Sequence, residues 1–464
     1  MNQCQSKNYP LYPIPNINSF QELLDYAIEN YPENIAFLTR SNKYTFAQFH
    51  RDILCAAPFF EQYDRHFFLI NITDKYYFSV VYFSIILSGN IAVLACENDL
   101  VYLSLPADTT AISETMLSSI FSDPHPFTKS PLPTLFSCLV CSSGTTSKKK
   151  GVMLSQSNLL SDALGGMQVY EYVSNSRYVS ILPFTHLFGI VADLLGSLLS
   201  GGTLCYGQNT LQFFDDLRYF NPDALNLPPI LVETIYKLLL NSNEKKCIVG
   251  ENLKKIMCAG AKIDDSCNEL FQQYGFTVYP AYGLTECSPC VCINRDNYYK
   301  SGSAGFILPC CSVRIIHGEI AVSGSNVMLG YYNAPDATRQ VMQDNWLLTG
   351  DLGYIDEDNY LYIIGRKNNL IVFPSGKKAL VEEIEGALNS IPNVVESLVH
   401  VSSCNDFRLD IVIVCKQVGI ADKTKSQVYA ALRSFCSKSF INSITIQLQP
   451  LSRNALGKII RARQ

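Results

Sequence analysis

An uncharged apolar run, Tyr76 to Ala95, restricts most strongly how this sequence can fold. Its twenty residues, YYFSVVYFSIILSGNIAVLA, include no Asp, Glu, Lys or Arg, and a run of that length could cross a bilayer. However, the tripeptide SGN at Ser88–Asn90 divides it into a helix-length piece and a short β-rich piece, IAVLA. We therefore predict a buried helix, a turn and a buried parallel strand in place of a membrane span.

Helical and strand-like segments alternate along most of the chain. The helical segments SFQELLDYAIENYP and SNLLSDALGGMQV are interspersed with the β-branched runs ENIAFLT, RYVSIL, KKIMCA and FTVYPAY. This alternation predicts an α/β fold, with layered helices and mostly parallel strands. From about Val313 the pattern changes to strand pairs and turns, such as VRIIHGEIAVSG and YLYIIGR, which indicates a β-rich subdomain.

The last hundred residues have a pattern of their own. They contain one helical run, ALVEEIEGALNSI, and two strand-like runs, ESLVHVS and DIVIVCK. We therefore expect a large N-terminal domain of layered α/β subdomains, residues 1–365, and a small mobile α+β domain, residues 366–464. The segment GRKNNLIVFPSGKK at this boundary is a plausible hinge.

Composition limits the classes of protein to consider. The chain has 464 residues, of which 48% are hydrophobic and 17% charged, so it has ample material for more than one core. A formal net charge of −5 argues against general binding to nucleic acid or to an anionic membrane. Any anion-binding site must therefore be local.

Cysteine usage bears on compartment and metal content. The chain has 17 cysteines, an odd number, and its opening residues, MNQCQSKNYPLYPIPN, do not have the pattern of a signal peptide. We expect reduced thiols and a cytoplasmic protein. A C-x-x-C occurs in CSPCVC at Cys287–Cys292, but no second pair lies at a zinc-ribbon spacing. Small buried side chains are favoured there over a metal site.

The loop SSGTTSKKKG, Ser142 to Gly151, has the composition of an anion-binding segment. Its small residues would let backbone N–H groups approach an anion, and its hydroxyl and ammonium groups would add donors. The G-x-x-x-x-G-K-[ST] pattern of a P-loop is absent. Taken alone, a basic loop of this composition is more often a solvated turn than an anion site.

Four further motifs follow in a specific order: Y-G-x-T-E at Tyr282–Glu286, T-G-D at Thr349–Asp351, G-R at Gly365–Arg366, and G-K ending at Lys458. With the loop, this series resembles the adenylate-forming superfamily of acyl-CoA synthetases, adenylation domains and luciferases, from about residue 20 to residue 461.

The resemblance implies an acid–thiol ligase that uses ATP, Mg²⁺ and CoA. In that family a carboxylate attacks the α-phosphate of ATP, pyrophosphate leaves, and a thiol then takes the acyl group from the adenylate. Carboxyl pKa values lie near 4, so the nucleophile is already ionised. The site must therefore supply charge neutralisation and alignment more than a strong base.

The resemblance also implies site residues. Glu286 matches the magnesium ligand, a hard oxygen donor, Thr285 would contact the α-phosphate, and Lys458 would reach the carboxylate and the α-phosphate. The β- and γ-phosphates would be held by Ser142, Ser143, Gly144, Thr145, Thr146 and Lys150. The adenine and ribose would be held by Tyr282, Gly283, Gly260, Ala261, Asp351 and Arg366.

Two segments bear on the acid substrate. His186 in LPFTHLFG matches the histidine-containing motif of acyl- and aryl-activating members, although a packed core histidine is an equal alternative. No acidic residue lies within Leu182–Gly189, and the nearest is Asp193. A substrate ammonium would therefore have no local counter-ion, which argues against an α-amino acid. The GRKNNLI segment is similar to long-chain acyl-CoA synthetases and favours a fatty acid.

The chain departs from the family pattern in its loop and hinge. In the loop, Ser147 replaces a glycine and Lys149 replaces a proline of the usual family pattern. In the hinge region, Asn368 replaces the usual acidic residue, and Ser375 replaces the first of two glycines. These changes put the thioester step in more doubt than adenylation. Two alternatives therefore remain: a stand-alone enzyme that loads an acyl or aryl acid onto a carrier-protein phosphopantetheine, and a non-catalytic nucleotide- or acyl-binding relative.

Overall fold

The computed structural model describes most of the chain, in the ranges 10–122, 131–142, 149–207, 210–241, 244, 246–259, 265–373, 376–401, 408–417, 421–453 and 459. The chain forms two compact units. The first comprises Met1–Arg314, Ala321–Thr349 and Ile355–Tyr362, and the second Ile315–Ile320, Gly350–Tyr354 and Ile363–Gln464.

Strands and helices are numbered in chain order within the described residues. The strands are β1 Ile35–Leu38, β2 Lys43–Thr45, β3 Phe67–Asn71, β4 Ile91–Leu94, β5 Thr110–Ser113, β6 Phe136–Cys141, β7 Gly151–Ser155, β8 Arg177–Val179, β9 Thr203–Cys205, β10 Ala224–Leu227, β11 Lys255–Ala259, β12 Thr277–Gly283, β13 Cys290–Ile293, β14 Gly305–Ile307, β15 Cys311–Ile316, β16 Glu319–Gly324, β17 Gly330–Tyr331, β18 Met342–Gln343, β19 Trp346–Ile355, β20 Tyr360–Arg366, β21 Leu370–Val372, β22 Lys378–Leu380, β23 Val394–Val401, β24 Leu409–Cys415 and β25 Ile441–Gln447. The α-helices are α1 Phe20–Asn30, α2 Phe46–Glu61, α3 Lys75–Leu87, α4 Leu117–Ile120, α5 Gln156–Val169, α6 Gly196–Ser200, α7 Phe213–Phe220, α8 Pro229–Leu240, α9 Lys246–Val249, α10 Asp265–Gln273, α11 Pro335–Val341, α12 Val381–Asn389 and α13 Ala421–Leu432.

The uncharged run folds as α3, a turn and β4, as predicted. Asp74 caps α3, because its carboxylate accepts hydrogen bonds from the first backbone N–H groups of the helix, and Gly89 takes a left-handed φ of 81° in the turn. Residues Phe78–Leu87 and all of β4 are buried. Within the described ranges, no helix has the length and apolar character needed to cross a bilayer.

Strand β4 belongs to a six-stranded sheet in the order β17-β7-β6-β4-β3-β5. Strands β3, β4, β5 and β6 run parallel to their neighbours among themselves, whereas β7 is antiparallel to β6, and β17 to β7. The segment between β6 and β7 is the loop Ser142–Lys150. It therefore starts at the carboxyl end of a parallel strand, the edge of an α/β sheet at which ligands usually bind.

A second sheet of the first unit has the order β14-β13-β12-β11-β10-β8-β9-β1-β2. Its strands from β12 to β1 run parallel to their neighbours, and β2 and β13 are antiparallel to theirs. A large apolar cluster, which includes Leu225, Ile256, Phe271 and Val278, packs on β10–β12. The predicted parallel α/β architecture is confirmed.

The second unit has mixed α+β content. Strand β24 pairs with β23 antiparallel and with β25 parallel, and β21 and β22 form a separate antiparallel pair. Helix α12 and residues of α13 bury Ile384, Leu388, Val428 and Leu432 against this sheet. The expected small α+β pattern of the C-terminal residues is present.

Candidate active site

Two hydrogen bonds between Ser142 and Lys150 close the base of the loop between β6 and β7. The Ser142 N–H donates to the Lys150 carbonyl at 2.8 Å, and the Lys150 N–H donates to Ser142 Oγ at 3.0 Å. This arrangement fixes the direction in which the chain leaves and re-enters the sheet. The other loop residues named above, Ser143, Gly144, Thr145, Thr146 and Ser147, lie outside the described residues.

An ion pair anchors the same loop to the 3₁₀ segment that follows the neighbouring strand. Asp99 follows β4, the parallel neighbour of β6, and Lys149 Nζ donates to Asp99 Oδ1. Burial alone would lower the pKa of Lys149, but the hydrogen bond from Lys149 to Asp99 and the Asp99 charge raise it above its ordinary value. Lys149 occupies the loop position that departs from the resemblance, and the sequence by itself did not identify Asp99 as its partner.

His186 lies near this ion pair. Burial lowers the pKa of His186 below its ordinary value of 6.5, whereas the Asp99 charge raises it and the Lys149 charge lowers it further. The preceding residue, Thr185, has its hydroxyl 3.7 Å from Cys96 Sγ, just after β4. The LPFTHLFG segment and the base of the loop are therefore neighbours in the structure.

A buried polar network fixes the segment that leads to His186. Lys75 Nζ donates to the carbonyls of Ser180 and Leu182 at 3.0 and 2.8 Å. The Ser180 hydroxyl donates to Asp193 Oδ2, and Asn226 Nδ2 donates to Asp193 Oδ1 at 2.7 Å. Burial lowers the pKa of Lys75 to about 8 and raises that of Asp193 to about 6, although each is opposed by the charge of the other.

A π-helical turn, Gly189–Leu195, brings Asp193 into this network. A Cβ at Gly189 would lie 3.0 Å from the Pro183 carbonyl oxygen, a tighter contact than most Cβ atoms make. Wide turns of this kind are rare and are often found at functional sites. The sequence analysis recorded Asp193 only as a distant acid and missed Lys75.

The Y-G-x-T-E motif leaves the second sheet at the end of β12. Gly283 is required there, because a Cβ would lie 1.9 Å from the Pro289 carbonyl oxygen. Thr285 is buried in the short 3₁₀ turn Thr285–Cys287, and Glu286 is half-buried in the same turn. Tyr282 pairs with Cys292 in the β12–β13 ladder.

The glycine and alanine that the resemblance assigns to the adenine come after the adjacent strand in the sequence. Ala259, the last residue of β11, pairs with Ala281 beside Tyr282. The next two residues, Gly260 and Ala261, lie outside the described residues.

Tyr331, which the sequence analysis did not single out, lies between the loop and Glu286. Its hydroxyl donates to Glu286 Oε1 at 2.8 Å, and Lys150 Nζ lies 4.7 Å from the centre of its ring. Its backbone pairs with Val152 of β7. The loop base at the edge of one sheet and the carboxylate at the end of the other therefore meet around one aromatic side chain.

In the second unit, Asp351 and Arg366 lie together. Arg366 Nε is 3.2 Å from Asp351 Oδ1, and the Asp351 side chain is largely buried. Glu319 accepts hydrogen bonds from Gly350 N–H at 2.9 Å and from Lys367 Nζ at 2.7 Å, which holds the T-G-D residues of β19. Lys458 lies outside the described residues.

Beside Tyr331, the residues that the structure describes provide one carboxylate for a cation, that of Glu286. Among the residues that the structure describes, no group of three or more His, Cys, Asp or Glu side chains could hold a metal ion. Tyr331 occupies one oxygen of Glu286, and no hydrogen bond from another described residue engages Oε2. One carboxylate oxygen suits an ion such as Mg²⁺ that keeps most of its other ligands as water or substrate phosphate.

The large α/β unit, the smaller α+β unit and the loop base with Lys150 near Glu286 are the features of an adenylate-forming enzyme fold. The chain belongs to the AMP-binding enzyme family, whose model matches residues 85–332.

Relatives and a solved structure agree with this assignment. The chain is 31% identical over 320 residues to a probable 4-coumarate–CoA ligase 3 of Dictyostelium discoideum, covering 64% of this chain and 57% of that one. It is 30% identical over 339 residues to a 2-succinylbenzoate–CoA ligase of Bacillus velezensis, covering 70% and 67%. The O-succinylbenzoate coenzyme A synthetase of Bacillus subtilis, in complex with ATP and magnesium ion, has the same fold, with a TM-score of 0.78 at 22% identity over 95% of this chain and 98% of that one.

Proposed function

We propose that this protein is an AMP-forming acid–CoA ligase. A carboxylate attacks the α-phosphate of ATP and releases pyrophosphate, and the CoA thiol then displaces AMP from the acyl-adenylate to form a thioester. The observation that carries the proposal is the arrangement around Tyr331. This side chain contacts both Lys150, which lies in the loop after β6 of one sheet, and Glu286, which follows β12 of the other sheet. The names of both relatives, each a CoA ligase, support the thiol acceptor.

In the first step, different site residues would bind different phosphate groups of ATP and the metal ion. We assign the β- and γ-phosphates to Lys150 and the hydroxyl-rich loop, and the α-phosphate to Thr285. Glu286 would hold Mg²⁺, which neutralises phosphate charge when it is bound. Because the attacking carboxylate is already an anion, the residues mainly need to lower repulsion and to align the reactants.

The remaining residues hold the nucleoside and the transferred group. We assign the adenine to Tyr282, Gly283, Gly260 and Ala261, and the ribose to Asp351 and Arg366. Residues 1–365 would form the adenylation domain. Residues 366–464 would form a lid that carries Lys458.

In this proposal the carboxylic acid substrate has no α-ammonium group. The nearest acid to the LPFTHLFG segment, Asp193, is 1% exposed and accepts hydrogen bonds from Ser180 and Asn226, and Asp99 accepts from Lys149. A substrate ammonium buried beside His186 would therefore lack a free counter-ion among these groups. We consider two candidate substrates. The first is a fatty acid, which the GRKNNLI segment favours, and the second is an aromatic acid, as in the names of the relatives.

Mass spectrometry of a mixed reaction tests the proposal. The purified protein is incubated with Mg-ATP and a panel of fatty, aromatic and amino acids, with and without CoA. We expect an acyl-CoA product that requires both ATP and CoA, and no amino acid product. An acyl-adenylate without thioester would favour a carrier-protein acceptor, and the absence of pyrophosphate exchange with every acid would contradict the proposal.

Lys458 provides a test of the role assigned to the C-terminal residues. We expect Lys458→Ala to lower the rate of acyl-adenylate formation about a hundredfold, on the order of 3 kcal/mol, because an ammonium would no longer stabilise the charge at the α-phosphate. Equilibrium binding of ATP should change little. Pyrophosphate exchange measures the rate, and an unchanged rate would remove Lys458 from the mechanism.

The Asp99–Lys149 pair should contribute modestly to nucleotide binding. We expect Lys149→Met and Asp99→Asn each to raise the KM for ATP about threefold, as for a partly exposed ion pair, because the loop base loses its anchor to β4. The double variant should resemble either single variant. Lys254→Met, a change at an exposed lysine, is the control. Additive effects in the double variant would show that the two residues act separately.

A further inference from the structure

We propose that Tyr331 is a positioning residue that holds Lys150 and Glu286 apart in the nucleotide site, and that it thereby sets the affinity of the site for the divalent cation. The inference rests on the proposed function, because it assigns the cation and the phosphates to Glu286 and Lys150. It concerns a residue that touches neither reactant in the scheme above.

Tyr331 contacts two oppositely charged side chains through different parts of its own side chain, one through the hydroxyl and the other through the ring. Glu286 Oε1 accepts from the phenol oxygen at 2.8 Å, and Lys150 Nζ lies over the ring at 4.7 Å from its centre. A cation over an aromatic face is attracted by the ring quadrupole, and a phenol O–H donated to a carboxylate is a charge-assisted hydrogen bond. Within the described residues, no ion pair joins Lys150 to Glu286 directly.

This spacing matters because a direct ion pair would occupy both groups. A lysine bound to the glutamate would offer less charge to a phosphate, and the glutamate would offer less to a metal ion. With the tyrosine between them, the ammonium stays available to an anion, and Glu286 Oε2 stays oriented for a cation.

The backbone around Tyr331 is held independently of its hydroxyl. Its N–H donates to the Thr338 hydroxyl at 2.9 Å, and the Met328 N–H donates to the Glu286 carbonyl at 2.9 Å. The Tyr332 N–H donates to the Gly151 carbonyl at 2.8 Å. Removal of the hydroxyl alone should therefore leave the loop and the strand pairing in place.

Two substitutions separate the functions of the hydroxyl and the ring. Tyr331→Phe removes only the donor to Glu286, whereas Tyr331→Leu also removes the aromatic face beneath Lys150. The matched control is Tyr332→Phe, since the centre of the neighbouring ring lies 5.3 Å from that of Phe67.

The experiment measures Mn²⁺ binding by electron paramagnetic resonance in the presence of α,β-methylene-ATP, together with the Mg²⁺ dependence of pyrophosphate exchange. For Tyr331→Phe we expect the dissociation constant of Mn²⁺ to rise about tenfold, as for loss of a hydrogen bond to a charged group. The affinity for the metal-free analogue should change less than about twofold, because Lys150 keeps its ring. Tyr331→Leu should weaken both, and Tyr332→Phe neither.

The outcomes distinguish this inference from the proposed function. A Tyr331→Phe variant with wild-type Mn²⁺ binding and Mg²⁺ dependence would overturn the positioning role. A purely structural role would instead lower thermal stability without a specific change in metal affinity, and would also overturn it. If the wild-type protein binds Mn²⁺ with the analogue but forms no thioester, the ligase proposal fails and the metal-binding comparison still decides the role of Tyr331.

Discussion

Replacement of Glu286 by glutamine is expected to lower the rate of acyl-adenylate formation about a thousandfold, on the order of 4 kcal/mol. Glutamine keeps an oxygen that can accept from the Tyr331 hydroxyl, now 2.8 Å from Glu286 Oε1, and it fits the same short turn. The substitution therefore removes the negative charge while it keeps the shape of the residue. In the proposed mechanism that charge holds Mg²⁺ against the phosphates.

Pyrophosphate exchange over a range of Mg²⁺ concentrations checks this expectation. The variant should need more Mg²⁺ for half its maximal rate, and its thermal midpoint should stay close to that of the wild type. Glu29→Gln, at an exposed position of α1, is the control for the loss of one negative charge. A Glu286→Gln variant with a normal rate and normal Mg²⁺ dependence would contradict the assignment of the metal ligand.

Replacement of Lys75 by methionine is expected to lower the free energy of unfolding by about 3 kcal/mol, because buried acceptors and a buried carboxylate lose the cation that compensates them. The ammonium donates to the Ser180 and Leu182 carbonyls, and its charge lowers the pKa of the buried Asp193. Methionine keeps most of the volume but leaves two carbonyls without a donor and one carboxylate without a nearby cation. Because this network precedes His186, activity should also fall.

The loss of stability should depend on pH. The pKa of Asp193 is raised from 3.8 to about 6 in the folded protein, so the folded state binds this proton more tightly than the unfolded state. Ionisation of Asp193 therefore costs stability, and that cost develops as the pH rises from about 4 through 6. Without the Lys75 charge the pKa of Asp193 rises further, and the cost at pH 7.5 increases.

At pH 5 Asp193 of the variant is protonated, so the destabilisation should be at least about 1 kcal/mol smaller than at pH 7.5. Lys75 itself stays mostly protonated in this window, because its folded pKa of about 8 and its ordinary value of 10.5 both lie above it. Urea unfolding at the two pH values provides the measurement.

Two further variants test the charge pair. Lys75→Met with Asp193→Asn should recover much of the lost stability, because no buried carboxylate is then left without a cation. Lys237→Met, at an exposed lysine of α8, should change stability by less than about 0.5 kcal/mol. Equal destabilisation at pH 5 and pH 7.5 would show that Asp193 does not respond to Lys75.

Much of the fold could be predicted because its elements follow from local patterns. The uncharged run became α3 and β4, since Ser88–Asn90 interrupts it and Asp74 caps the helix. The β-branched runs FTVYPAY and KKIMCA became the paired strands β12 and β11. The order of the motifs was sufficient to suggest the family that the comparisons then established.

The partners of the charged site residues could not be predicted. Asp99 is fifty positions from Lys149 and Tyr331 is forty-five from Glu286, and no periodicity links residues at such separations. The network of Lys75, Ser180, Asp193 and Asn226 joins four different segments. The sequence analysis therefore placed Lys150 and Glu286 in one site but contained no sign of the tyrosine between them.

The amino-acid sequence alone determined the helices and strands, the parallel α/β class and the family to which the chain belongs, because capping, burial periodicity and motif order are local or linear properties. Only the tertiary structure decided which charges face one another: Lys149 with Asp99, Lys75 with Asp193, and Lys150 and Glu286 on either side of Tyr331. The physical reason is that these neighbours come from strands and loops that are distant in the chain. Sheet pairing and core packing bring them together, and no local preference of the residues does so.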